Sequence, residues 1–216
     1  MLKRFFLVLF ISLFTVSTAF AVVDIYELQS QAEAGNAEAQ FRLGYMYETG
    51  QDAYIDYYEA VKWYEMAARG GLREAQLNLG KMYAEGRGVQ QDMAEAARFY
   101  KLAAAQKQPE AVSNLAMLYA TGEGVEKNMA EAAKWFKLSA EYGNKEAQYN
   151  LGVIYRDGIG VAKNAAEALG YFADASKQGH MKASLAAADM YFFGQGVAVD
   201  YAKAAELYKQ PANAGD

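Results

Sequence analysis

"EAQFRLGYMYETG", Glu38 to Gly50, decides the fold of this chain because it returns four more times along the sequence. The later copies begin at Glu74, Glu110, Glu146 and Lys182, each 36 residues after the last with no insertion. A second stretch, of the type "EAVKWYEMAARGG", recurs after each of them. A fixed period of this length is typical of stacked helical repeats. The sequence therefore predicts five complete repeats of 36 residues.

The apolar residues within a copy are spaced as in helices rather than strands. In the second copy Ala75, Leu79, Met82 and Tyr83 stand at i, i+4, i+7 and i+8. Each repeat is therefore predicted to be a pair of amphipathic helices, and a half-copy before them supplies one capping helix. The predicted boundaries are a half-repeat at 24–37 and repeats at 38–73, 74–109, 110–145, 146–181 and 182–216.

The glycines between the two helices are predicted to be turn residues. Gly86 ends the first helix in a left-handed conformation, and Gly88 lets the chain turn back. Asp92 then caps the second helix, with Glu95 placed to complete a capping box. A phosphate-binding loop would need a strand before the glycines and a Lys with Ser or Thr after them. In the first copy Asp52 replaces the second glycine, so that turn is expected to be built differently.

This pattern, A-x-x-x-L-G-x-x-Y-x-x-G-x-G-V followed by a cap and A-x-x-W-Y-x-x-A-A-x-x-G, resembles the Sel-1-like repeat family. The resemblance covers essentially the whole chain after residue 21. It implies an all-α, right-handed superhelix of stacked helix pairs whose concave surface serves as a scaffold for protein partners. The chain departs from the pattern at Ala116 and Ala188, which replace a mid-helix glycine, and at Pro211, where the last helix is expected to kink or end. It also lacks the cysteine pairs of some secreted relatives.

Two features of the pattern predict how the helices pack. Mid-helix glycines such as Gly44 and Gly152 indicate that two helix backbones approach closely. Adjacent aromatic residues on each second helix, such as Trp63 and Tyr64, give every repeat two rings to bury. Helix-spaced aromatic residues favour core packing over an aromatic ligand box.

The N-terminus has the composition of a secretory signal peptide at residues 1–21. Two basic residues precede an apolar run, and Ala19-Phe20-Ala21 provides the small residues of a cleavage site. The run is short for an uncleaved membrane anchor, the rival interpretation. We expect cleavage near Ala21 and a mature chain, 22–216, that is periplasmic or secreted with no stable membrane insertion. Of 21 basic and 26 acidic residues, cleavage removes Lys3 and Arg4, and the acidic excess argues against a nucleic-acid partner.

Candidates for catalysis are few. The chain has one histidine, His180, in the link between the fourth and fifth copies, where we expect it to be exposed. Ser176 lies four residues earlier, but no third group completes a nucleophilic site. One His and no Cys also leave no metal-binding cluster. We therefore expect no enzyme activity, catalytic residue, cofactor or metal. A cell-wall-associated enzyme or enzyme activator, related to peptidoglycan or β-lactams, remains the alternative, and a carbohydrate-binding module is a third possibility.

Positions that vary between copies on the first helix are the candidates for contacting a protein or peptide partner. The residue before the repeating Leu forms one series, and a second variable position lies three residues later. The candidates are Arg42, Asn78, Asn114 and Asn150 from the first series, with Ala186 in the fifth copy, and Tyr45 and Lys81 from the second. Three carboxamides one repeat apart could hydrogen-bond an extended peptide, or could instead join neighbouring helices within the stack. Phe192 and Phe193 are further candidates, one packed under the last repeat and the other exposed.

Overall fold

The structure is a computed structural model that describes residues 25–51 and 53–212, the last three of these by their backbone alone. The residues it describes form α-helices and connecting turns, without a β-strand. The helices are α1 (25–33), α2 (Ala37–Thr49), α3 (Tyr57–Arg69), α4 (Arg73–Glu85), α5 (Met93–Ala105), α6 (Pro109–Thr121), α7 (Met129–Glu141), α8 (Lys145–Asp157), α9 (Ala165–Lys177), α10 (Met181–Phe193) and α11 (Tyr201–Ala212). Each repeat consists of an even-numbered first helix and an odd-numbered second helix.

The 36-residue period of the sequence is reproduced by the helix boundaries. First helices begin at Ala37, Arg73, Pro109, Lys145 and Met181. The second helices keep the same spacing from Tyr57 to Tyr201. The predicted helix pairs and the N-terminal helix are therefore confirmed. The predicted signal peptide, 1–21, lies outside the described residues, and so does Asp52.

The second helices are capped as predicted, but the capping box is only half formed. The Asp56 carboxylate accepts hydrogen bonds from the backbone N–H groups of Tyr58 and Glu59. The Asp56 N–H, however, donates to the Tyr47 carbonyl at 2.9 Å, and Glu59 pairs with Lys62 instead of reaching back. The same backbone bond joins three later caps to the repeating tyrosine: Asn128 to Tyr119, Asn164 to Tyr155 and Asp200 to Tyr191. At Asp56, Asn128 and Asn164 the predicted reciprocal box is wrong, because the preceding helix already satisfies the N–H group of the cap.

The two turn glycines have different roles. Gly86 has φ +68° and ends α4 as predicted. Gly88 has φ +71°, and a Cβ atom there would lie 2.2 Å from the Tyr57 carbonyl oxygen, at the start of the preceding repeat's second helix. Gly124, Gly160 and Gly196 face Met93, Met129 and Ala165 in the same way. The second glycine is therefore needed for a close contact between repeats as well as for the turn.

The chain divides into two compact units, one ending at Gln91 and the other beginning at Asp92. In the first unit α1 covers the first repeat, where Ala32 packs in one buried cluster with Ala39, Leu43 and Trp63. The half-copy therefore caps the first repeat.

The second unit contains α5 to α11 and has buried clusters centred on aromatic rings. Phe172 packs between its own repeat and Ala183 and Ala187 of α10. A Cβ atom at Gly152 would lie 2.4 Å from the Phe172 ring. The prediction that mid-helix glycines let two backbones approach is therefore corrected, since an aromatic ring of the second helix occupies the space. In the first unit the Tyr64 ring occupies the same place against Gly44.

Burial of the aromatic pairs is uneven. The second ring of each pair is buried in the first four repeats, as Tyr64, Tyr100, Phe136 and Phe172. The first ring is buried as Trp63 and Phe99 but only half-buried as Trp135 and Tyr171. The expectation of two buried rings per repeat therefore holds for the first two repeats only. Pro211 lies within α11, and the chain beyond Ala212 is outside the described residues, so its predicted effect is untested.

Candidate partner-binding surface

The first helices separate recurring positions from variable ones by exposure. The recurring Ala39, Leu43 and Gly44 are buried, whereas the variable Arg42 and Tyr45 are exposed. In the later copies Met117 and Asp189 are also exposed at the variable position, while Lys81 is half-buried. One face of these helices thus presents residues that differ from repeat to repeat.

The carboxamide series does not have one environment. The Asn78 amide donates to the Tyr64 hydroxyl at 3.0 Å, and that hydroxyl donates to Glu48 at 2.6 Å. Burial, followed by the hydrogen bond to the Glu48 carboxylate, raises the pKa of Tyr64. Asn78 therefore lies in a hydrogen-bonded chain that links α4 to α3 and α2. The sequence left open whether these carboxamides bind a peptide or join neighbouring helices, and the Asn78 contact joins helices.

All three carboxamides are half-buried. The Asn150 amide faces the Met117 sulfur of the preceding repeat at 4.0 Å, a weak contact that leaves most of its hydrogen-bonding capacity available. In the fifth repeat the series ends with Ala186, which has no polar group.

Sequence reasoning missed a charged contact between the first two repeats. Arg87, which stands between the two turn glycines, lies 3.1 Å from the Glu48 carboxylate and over the Tyr57 ring at 5.3 Å. The corresponding residues in later copies are Glu123, Ile159 and Gln195, so the repeat pattern gives no signal for this contact. Arg87 and Glu48 attach the second repeat's turn to the first repeat.

A groove of about 570 Å³ lies on the first-helix face of the second unit. We call it the α8–α10 groove, and it is lined by Arg156, Asp157, Lys163, Ala186, Asp189, Phe193 and Gln195. Its α10 wall carries Ala186, Asp189 and Phe193, which share one helix face by their i, i+3, i+7 spacing. Small ligands and peptide side chains commonly bind in clefts of about 300–1,000 Å³.

The charges in this groove are partly fixed by internal contacts. Arg156 donates two hydrogen bonds to Asp157, at 2.8 and 2.9 Å, and these lower the pKa of the Asp157 carboxyl. On the α10 side the Tyr208 hydroxyl of α11 donates to Asp189, and this bond raises the pKa of Tyr208. Lys163 is exposed, and its positive charge also helps to lower the pKa of the Asp157 carboxyl. The groove is therefore lined by two positively and two negatively charged side chains, whose charges balance.

Aromatic side chains continue the groove toward the end of the chain. Phe193 is 64% exposed and meets Phe192 edge-to-face at 5.0 Å between ring centroids. Phe192 is 44% exposed and lies 5.3 Å from the Tyr201 ring of α11. The expectation that one phenylalanine packs against the last repeat and the other is exposed fits this arrangement, although both keep exposed surface.

His180 is not the exposed linker residue that the sequence suggested. Its side chain is 7% exposed, and its Nδ1 accepts a hydrogen bond from the Ala183 N–H, so it caps α10 as Asn144 caps α8. The proton is therefore assigned to Nε2, which donates to Glu146 at 2.9 Å. Tyr149 stacks on the ring at 4.7 Å. His180 is buried because α8, over 30 residues earlier, supplies the partners that cover it.

The Ser176 hydroxyl and the His180 imidazole do not pair with each other, because each already has another partner. The Ser176 hydroxyl lies 2.7 Å from the Ser184 hydroxyl, while both imidazole nitrogens are engaged by Ala183 and Glu146. Among residues 25–51 and 53–212, no three His, Asp or Glu side chains are grouped to hold a metal ion. None of the helices formed by these residues is long and apolar enough to cross a membrane.

Comparison with known proteins identifies the repeat. The family model described as Sel1 repeat matches residues 37–72, 73–107, 109–144, 145–180 and 182–216. The chain is a Sel1 repeat protein. Proteins of this family are generally non-catalytic scaffolds for protein interactions. The predicted family and its fold class, an all-α superhelix of helix pairs with an N-terminal helix, are thereby confirmed.

Two solved structures illustrate the likeness. One is c5321, a protective antigen present in uropathogenic Escherichia coli strains and displaying an SLR fold. It shares 37% identity with this Sel1 repeat protein at a TM-score of 0.83, over 88% of this chain and 40% of that chain. The other is a Sel1 repeat protein from Oxalobacter formigenes, with 34% identity, a TM-score of 0.72, and coverage of 89% and 85%. The chain spans about two fifths of the length of the E. coli protein. None of the curated proteins matches it.

Proposed function

We propose that this Sel1 repeat protein is an exported scaffold that holds a protein or peptide partner on the concave face formed by its first helices. The observation that carries this proposal is the division of the first helices into buried recurring residues and exposed variable ones. Leu43 and Gly44 maintain the stack, whereas Arg42, Tyr45 and Met117 leave different side chains accessible at equivalent places. Solenoid repeats typically bind through such extended variable surfaces.

The proposed partner is a protein rather than nucleic acid, since the chain has 26 acidic and 21 basic residues. Export is inferred from the signal-like composition of residues 1–21. The description of the E. coli relative as a protective antigen supports an exported location. Release from the membrane after cleavage near Ala21, into the periplasm or the medium, follows from the same inference.

Photo-crosslinking from single positions tests the binding face. A photoreactive residue is placed at Tyr45, Met117 or Asp189 on first helices, and at Lys62 or Lys137 on the exposed sides of second helices as matched controls. We expect one protein to be crosslinked from the first-helix positions and not from the controls. Equal crosslinking from both sets, or crosslinking from the second helices alone, would contradict the proposed face.

Export is tested separately by fractionating cells and sequencing the N-terminus of the protein. A chain that begins at Val22 outside the cytoplasm is expected. A full-length chain retained in the cytoplasm would remove export from the proposal while leaving the binding face to the crosslinking result.

A further inference from the structure

We propose that the fifth repeat binds an extended, uncharged segment of the partner, with one large apolar side chain of that segment in the α8–α10 groove against Phe193. This inference rests on the proposed function, because it assigns one segment of a protein partner to one place on the first-helix face.

The turn of the fifth repeat is apolar at three positions that are charged in the fourth repeat. The charged residues are Arg156, Asp157 and Lys163, and their equivalents one period later are Phe192, Phe193 and Val199. All three apolar side chains are exposed. Single exposed apolar residues are common on protein surfaces, whereas a group of them at one place marks a contact site.

These side chains and Tyr201 lie together, and we call them the fifth-turn patch (Phe192, Phe193, Val199 and Tyr201). The Phe192 ring meets Phe193 at 5.0 Å and Tyr201 at 5.3 Å, both edge-to-face. Val199 lies against the residue after Phe193, since a Cβ atom at Gly194 would be 2.9 Å from the valine side chain. Rings held by such contacts lose little conformational entropy on binding. The patch is therefore an ordered apolar surface.

The α8–α10 groove continues the fifth-turn patch, because Phe193 belongs to both. Ala186 lies on the same face of α10 and adds no polar group to the groove. Gln195 also lines it and can hydrogen-bond the backbone of an extended segment. The volume of about 570 Å³ is enough for a large side chain together with the backbone on either side of it. A large apolar side chain can therefore lie in the groove and contact the Phe193 ring.

The charged side chains of the groove favour an uncharged occupant. Arg156 donates two hydrogen bonds to Asp157, and Lys163 attracts the same carboxylate. Asp189 accepts a hydrogen bond from the Tyr208 hydroxyl and interacts electrostatically with Arg156. The two positive and two negative groups thus act on one another. A further charge brought into the groove would lose its water without gaining an unpaired counter-charge.

A library of random twelve-residue peptides displayed on phage, panned against the purified protein, tests this chemistry. Two variants address the site. Ala186→Leu puts additional carbon atoms into the groove, and Phe193→Ser removes the exposed ring. The matched controls are Asn150→Leu, at the equivalent of Ala186 on α8 but not in the groove lining, and Tyr58→Ser, which removes a ring that is 70% exposed in the first unit. Circular dichroism confirms that all four variants are folded.

We expect the enriched peptides to share a large apolar residue flanked by uncharged residues. A synthetic copy should bind the Ala186→Leu and Phe193→Ser variants about tenfold or more weakly, a loss of about 1.4 kcal/mol. Both controls should bind it as the unchanged protein does. The affinity should change little between low and high salt, because no ion pair forms between peptide and groove.

The charge of the peptide gives the sharpest test. Replacing a residue next to the apolar one with Glu, and separately with Lys, should weaken binding in both cases, because neither charge finds an unpaired partner in the groove. Tighter binding of either charged peptide would overturn the inference. So would unchanged binding by the two site variants, an equal loss in the controls, or the absence of any enriched peptide.

Other occupants of the patch would give different results. A dimer in analytical ultracentrifugation that Phe193→Ser disrupts would assign the patch to a second copy of the chain and overturn the inference. Sedimentation with phosphatidylcholine vesicles that the same variant abolishes would assign it to a membrane surface, with the same consequence. If the crosslinked partner is still retained by the Ala186→Leu and Phe193→Ser variants, the first-helix scaffold stands and only this assignment fails.

Discussion

The fourth and fifth repeats place an aromatic ring at the same position of the second helix, yet only the fourth repeat buries it. Phe172 is 0% exposed because it lies between Gly152 of its own repeat and Ala187 of the next. Tyr208, one period later, is half-buried, and no described helix follows α11 to cover it. Full burial of this aromatic ring therefore requires contacts from its own repeat and from the repeat that follows.

Contacts toward the preceding repeat do not show this asymmetry. Gly196 of the fifth repeat closely approaches Ala165 of α9, as Gly160 of the fourth repeat approaches Met129 of α7. Repeat proteins are stabilised mainly by such nearest-neighbour interfaces. We therefore expect the fifth repeat to be as well attached on its inner side as the fourth, whereas none of the described helices covers its outer side.

Removing the ring from each repeat tests this difference with the largest expected effect. Phe172→Ala should lower the free energy of unfolding by about 3–5 kcal/mol, because it empties a fully buried site. Tyr208→Ala should cost about 1 kcal/mol, as for a half-exposed side chain. Urea unfolding followed by circular dichroism measures both. Equal losses in the two variants would show that the fifth repeat is covered by something outside the described residues.

Alanine at the second turn glycine tests the contacts toward the preceding repeat. A Cβ atom would lie 2.6 Å from the Met129 Cβ at Gly160 and 2.0 Å from the Ala165 Cβ at Gly196. Both Gly160→Ala and Gly196→Ala should cost about 2–4 kcal/mol from left-handed strain and steric overlap together. The midpoint temperature of thermal unfolding should therefore fall by a similar amount in the two variants.

The matched control for this pair is Gly179→Ala. Gly179 has φ +76° but no atom within 4 Å of a Cβ, so only the conformational cost of about 1–2 kcal/mol applies. A Gly196→Ala variant no less stable than Gly179→Ala would contradict an equal inner attachment of the fifth repeat.

Alanine at two helical glycines should change the stability by smaller amounts and in opposite directions, because only one of these glycines lies against an aromatic ring. Gly152→Ala should destabilise the protein by about 1–2 kcal/mol, because its Cβ would overlap the Phe172 ring. The third repeat packs Phe136 with Ala116, so the ring can shift to limit this cost. Gly170→Ala, in α9 with open space around it, should stabilise by about 0.5–1 kcal/mol. Two stabilising variants would show that the Phe172 ring moves freely.

The sequence predicted the features that depend on position within the repeat. Helix pairs, turn glycines such as Gly86 and caps such as Asp56 recur every 36 residues, so each copy supports the others. The resemblance to the Sel-1-like repeat family predicted, in addition, that the helix pairs stack into a superhelix. Both rest on local spacing and on periodicity, which a single sequence displays directly.

Features that depend on one residue in one repeat were not predictable in this way. His180 is buried by Glu146 and Tyr149 of another helix, and Arg87 finds Glu48 across a repeat boundary. The α8–α10 groove is lined by residues of α8, α10 and their turns, which come together only in the folded repeat pair. The carboxamide series looked uniform, but Asn78 bonds to the buried Tyr64, whereas Asn150 faces the Met117 sulfur.

Changing the caps of the first helices should have the smallest effect on the free energy of unfolding. These changes separate the stability that comes from a helix cap from the stability that comes from neighbouring repeats. Leu72 offers no capping hydrogen bond to α4, whereas Asn36 and Asn144 cap α2 and α8. Leu72→Asn should therefore stabilise by about 0.5–1 kcal/mol, within the usual range for such caps. The measurement is the midpoint of urea unfolding, compared with that of Leu72→Ala to correct for the loss of the leucine side chain.

His180→Leu is the reverse experiment in the fifth repeat. His180→Leu should lower the free energy of unfolding by at least about 0.5–1 kcal/mol, because it removes the bond to the Ala183 N–H. His180→Asn should restore this cap without the other contacts of the histidine. Amide exchange of the α10 N-terminus distinguishes the two contributions. Faster exchange at Ala183 in both variants would show that the stack on Tyr149 and the bond to Glu146, rather than the cap, hold the fifth repeat against the fourth. The inner attachment would then depend on one histidine and not on the periodic contacts that every repeat shares.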